Sequence, residues 1–134
     1  MTQEEKDILI KDLCARLPYK VIVDYAYNAF NVRKGNYVEH GSKCFLNCDL
    51  LDVFKSPRQN EKGEYIKPYL FPLSSMTEEQ EKECQQIKHS YYFDDDSFVL
   101  FDWYNKNHLD YRGLIPMGLA NDATNLNIYR LWNF

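Results

Sequence analysis

Apolar residues recur at Ile10, Leu13, Cys14 and Leu17, the i, i+3, i+4, i+7 spacing of one helix face. Thr2 and Glu5 form a capping-box pair ahead of them. Glu4 and Glu5 suit the positive end of the helix dipole, and Lys11 and Arg16 lie further on. Pro18 stops the pattern, so a helix is predicted over Gln3–Arg16. Residues 19–27 then alternate. Tyr19, Val21, Val23, Tyr25 and Tyr27 point one way, and Lys20, Ile22, Asp24 and Ala26 the other. This is a strand with one face more buried than the other. Lys34-Gly35-Asn36 reads as a turn, and His40-Gly41-Ser42 as a clearer one. Residues 43–54 read as a further strand and 55–62 as a loop ending at Gly63. Residues 64–73 return as an extended segment, an edge strand because of its prolines.

Residues 67–87 organise the remainder. Pro68 and Pro72 hold the backbone extended through Tyr69, Leu70 and Phe71. Thr77 with Gln80 makes a second capping box, and Glu78 and Glu79 strengthen that helix start. Only Met76, Cys84 and Ile87 give this helix an apolar stripe, so it belongs on the surface. Residues 91–93 are a short strand candidate. A third helix is predicted over 98–107, with Leu100, Trp103, Tyr104 and Asn107 on one face and Phe98 and Phe101 also at helical spacing. Gly113, Pro116 and Gly118 forbid a long helix after it. Leu114, Ile115, Met117, Leu119, Leu126, Ile128, Leu131 and Trp132 make a free tail implausible, so the segment should wrap and close the core. The expected fold is a single α+β domain over 1–134: an N-terminal helix, a small mainly antiparallel sheet from about 19 to 73, two further helices and an irregular C-terminal segment.

Composition narrows the function classes. A chain of 134 residues is the size of one domain, and 45% hydrophobic with 27% charged residues is ordinary for a globular one. The net charge of −4 argues against nucleic acid and anionic membrane as partners. A basic patch would need Lys20, Lys34, Lys43, Lys55, Arg58, Lys62 and Lys67 to gather on one side of the sheet. No run approaches the roughly 20 apolar residues that span a bilayer. The acidic start MTQEEKD lacks the form of a secretion signal, which makes the cytoplasm the expected location. Eleven Tyr, 8 Phe and 2 Trp predict either a core with wet edges or an aromatic contact surface.

Cys14, Cys44, Cys48 and Cys84 read as buried free thiols, Cys14 on the apolar face of the first helix. His40, Cys44 and Cys48 resemble a zinc ligand set only in spacing. On a strand the two cysteines stand about 13 Å apart, too far to share an ion. Asp94-Asp95-Asp96 offers carboxylates to a divalent cation, but it lacks a calcium-loop glycine and suits helix capping better. No metal or cofactor is expected. The most informative polar group is His108 with Asp110, Tyr111 and Arg112, and Asp102 upstream. Histidine beside a carboxylate can act as a general base, and Arg112 can hold an anion. The structural alternative has His108 at a helix C-terminus, Asp110 and Arg112 pairing or capping, and Gly113 in a left-handed turn. Trp103 and Tyr111 are the aromatic binding candidates. Phosphate-loop, dinucleotide, zinc-protease and serine-hydrolase motifs are absent.

The blocks DLCARLPY (12–19), KPYLFPLSSMTEEQ (67–80) and HLDYRGLIPMGLA (108–120), the last preceded by DWYNKNH, resemble a family of short uncharacterised proteins. Its members are frequent in gut anaerobic bacteria and in their phages and mobile elements. The resemblance covers about a third of the chain. It implies a small cytoplasmic accessory protein and no particular chemistry. The leading expectation is therefore a non-enzymatic module that binds another protein through an aromatic face. The second is a small hydrolase or anion-binding enzyme using Asp102, His108, Asp110 and Arg112.

Overall fold

Capping decides where the first helix begins. In the computed structural model, which describes residues 1–51, 65–90 and 97–131, the Thr2 hydroxyl accepts the Glu5 N–H at 3.1 Å. The Glu5 carboxylate accepts the Thr2 N–H at 3.2 Å. Helix α1 runs Gln3–Arg16 as predicted, and Pro18 sits in a short 3-10 turn at Leu17–Tyr19. The buried face is not the predicted one. Leu9, Asp12, Leu13 and Arg16 are buried, whereas Cys14 is exposed. The spacing is the same but one residue out of phase, because Asp12 and Arg16 neutralise each other inside. Arg16 Nε donates to Asp12 Oδ2 at 2.8 Å and Nη2 to Oδ1 at 3.1 Å, with both side chains 0% exposed.

Strands β1 (Ile22–Asn31) and β2 (Asn36–Phe45) form an antiparallel hairpin in register from Ile22↔Phe45 to Asn31↔Asn36. Asn31 builds the turn. Its Oδ1 accepts the N–H of Arg33 and of Lys34, and its carbonyl accepts that of Gly35. Gly35 takes φ 68°, where a side chain would be strained. The expected turn at His40-Gly41-Ser42 is instead mid-strand, Gly41 lying opposite Ala26. Continuous pairing with β1 outweighs the local turn composition. The strand expected over 43–54 is also corrected. β2 ends at Phe45, and Cys48–Leu51 forms a short helix, α2, whose Leu50 N–H is accepted by Asn47 Oδ1. Val21, Ile22 and Val23 are all buried, so β1 begins covered on both faces rather than on one.

Strand β3 (Tyr65–Pro72) is interior, not an edge. Its first half pairs antiparallel with β1 from Val23↔Pro68 to Ala26↔Tyr65. Its end pairs parallel with β4 (Leu109–Asp110) at Phe71↔Leu109, and β5 (Asn121–Asp122) also pairs with it. Pro68 lacks an N–H and so can cost the ladder one bond, but its ring is fully buried. The fold is thus α+β with a mixed, mainly antiparallel sheet.

The chain divides into two compact units, Met1–Tyr69 and Leu70–Phe134. In the second, the Thr77–Gln80 capping box forms as predicted and opens α3 (Glu78–Ser90). Helix α4 (Ser97–Lys106) matches the third predicted helix, and α5 (Ile128–Leu131) lies in the tail. Cys84, Tyr104 and Leu109 centre a core flanked by Phe71, Met76, Leu100, Trp103 and Tyr111. Leu114, Leu119, Ala120 and Ala123 are buried, so the tail is packed as its apolar content requires. The loop over 55–62, the strand candidate 91–93 and Asp94–Asp96 lie outside the described residues.

Candidate functional site

The predicted site residues fall on α4, β4 and the turn after them. α4 ends at Lys106, and His108 follows with φ 57°. This left-handed position after a helix is usually given to glycine. The His108 N–H is accepted by the Asn105 carbonyl, and the His108 carbonyl accepts the Phe71 N–H at 2.8 Å. Its ring stacks on Tyr129, 4.0 Å between centroids and 11° from parallel, and Phe71 tilts against the same tyrosine. The reading of His108 as a helix-terminal residue therefore describes its backbone.

Asp110 is 6% exposed. Its two carboxylate oxygens accept the N–H of Leu114 at 2.8 Å and of Ile115 at 2.9 Å. Gly113, between donor and acceptor, turns the chain at φ 77°. Asp110 is thus a cap that folds 110–115 back on itself, the structural role weighed for it in the sequence. Arg112 donates from Nη2 to the Tyr111 hydroxyl at 3.0 Å, and its guanidinium carbon lies 4.9 Å from that ring's centroid. Asp102 is exposed on α4.

What this segment does bring together is aromatic. Tyr111 stacks between Phe101 and Tyr104, each 5.3 Å away and within about 20° of parallel. Trp103 meets Tyr104 edge-on at 5.7 Å and donates its Nε1–H to Glu83 at 3.0 Å, tying α4 to α3. Offset stacks and edge contacts of this kind add to area burial. Phe98 and Phe101 remain 81% and 43% exposed on the same helix, so the stack has an open end. Asn105 is buried on α4, and its Oδ1 has no hydrogen-bond partner among the described residues. A mid-helix asparagine carries no signal that distinguishes a buried from a solvated position.

At the inner end, the Tyr104 hydroxyl lies 3.8 Å from Cys84 Sγ. Burial, the hydrogen bond to Cys84 and the charge of its thiolate form together push the Tyr104 phenol up to about 12. A raised folded value means the neutral phenol is favoured by the fold. Its stabilisation is complete below pH ~10, the unfolded value, and is lost as pH rises from there through about 12. The loss is on the order of 3 kcal/mol at most. Replacing Tyr104 with Phe should therefore flatten the fall in stability above pH ~10, read by urea unfolding at stepped pH. An unchanged alkaline slope would contradict this.

Other expected sites are placed as follows. Cys14 and Cys48 are exposed, Cys44 is half-buried and Cys84 alone is buried; all four are free thiols. The expectation of four buried thiols fails because Cys14 lies off the buried stripe and Cys48 opens an exposed helix rather than a strand. Among the described residues no group of three or more His, Cys, Asp or Glu side chains gathers as a metal site. Lys43 and Lys67 both stand opposite Asp24 in the ladder and over the rings of Tyr69 and Tyr65. They are engaged within the sheet, while Lys55, Arg58 and Lys62 lie outside the described residues. No helix among the described residues is long and apolar enough to cross a membrane. No protein-family model matches the chain, and neither the curated proteins nor the solved structures contain a match to it.

Proposed function

We propose that the chain is a non-enzymatic interaction module that engages another protein through the aromatic face of α4. The observation that carries the reading is Phe98 and Phe101, both exposed at i, i+3 spacing, with Phe101 backed by the Tyr111–Tyr104 stack. Rigid aromatic anchors lose little entropy on binding and dominate interface energetics. The commitment of Asp110 to two backbone N–H groups supports a scaffold role for the 108–115 segment. Four unbridged thiols suit the reducing cytoplasm as the place of action. The resemblance of the 12–19, 67–80 and 108–120 blocks to proteins of phages and mobile elements supports an accessory role in that setting.

The test is affinity capture from cells that carry the gene, comparing the wild-type chain with a Phe98→Ala/Phe101→Ala variant. Phe98 is exposed and Phe101 gives up only its stack on Tyr111, so the variant should stay folded, losing about 1–2 kcal/mol. It should lose the retained partner, since hot-spot aromatics cost about 2 kcal/mol or more each when truncated. Undiminished capture by the variant would overturn the proposal.

A further inference from the structure

We draw no further inference here: the strongest candidate, the cavity of about 780 Å³ along α3 lined by Met76, Glu81, Cys84, Gln85 and Lys88, is bounded among the described residues by that helix and Met76 alone, and nothing in the structure shows what covers it.

Discussion

Replacing Arg16 with methionine is expected to destabilise the protein by about 3–5 kcal/mol. Asp12 and Arg16 are 0% exposed and joined by two hydrogen bonds one helical turn apart. Removing the guanidinium leaves the Asp12 carboxylate shielded from bulk solvent without the charge that faces it at 2.8 Å. Asp12→Leu alone should cost a similar amount, since it takes the carboxylate from beside the buried arginine. The double replacement Asp12→Leu/Arg16→Met should recover most of the loss, because two apolar chains of similar volume remove both charges together. Urea unfolding of the four proteins forms a double-mutant cycle. Additive losses would mean that the two side chains do not act as a pair.

Asp110→Ala carries the second large effect. The carboxylate accepts two backbone N–H groups, and the Leu114 donor is buried with a side chain 0% exposed. A buried donor left unsatisfied costs about 1–3 kcal/mol, so the loss of both should be on the order of 3 kcal/mol. Asp110→Asn should cost about half as much, since its amide oxygen can still accept one N–H while its NH2 faces the other. A chain that catalysed a reaction with Asp110 as base would show the two variants equally impaired in activity but unequal in stability. A cap gives the graded stability series alone, which denaturation measures directly.

The legible parts of this fold are those written in local chemistry. Thr2 with Glu5 and Thr77 with Gln80 fixed two helix starts, because a capping box is completed within four residues. Gly35 likewise marked its turn. The errors occur where a tertiary partner outweighs local preference. Asp12 and Arg16 lie off the predicted apolar stripe, yet their mutual pairing allows both inside and shifts the buried stripe of α1 by one position. His40-Gly41-Ser42 has turn composition, but β1 holds it straight through a ten-residue ladder. Pro68 suggested an edge, whereas β3 has partners on both sides.

The polar contacts of the candidate residues were not legible in the sequence. Asp102, His108, Asp110 and Arg112 look like acid-base chemistry because catalysis and turn-building draw on the same polar residues. What separates the two is where each polar atom is directed, which sequence does not carry. Asp110 directs both oxygens at the backbone, and Arg112 lies on Tyr111. The binding candidates Trp103 and Tyr111 lie in the aromatic cluster, but largely as support. The exposed residues are Phe98 and Phe101, which only the helical spacing had marked.

The most direct test places a photoreactive benzoyl-phenylalanine at position 98 and irradiates the protein in its native cells. The account predicts one discrete cross-linked partner from this position, lost when Phe101 is also changed to Ala. Cross-links that arise equally from an exposed control position on α3, such as Gln85, or none at all from position 98, would contradict it.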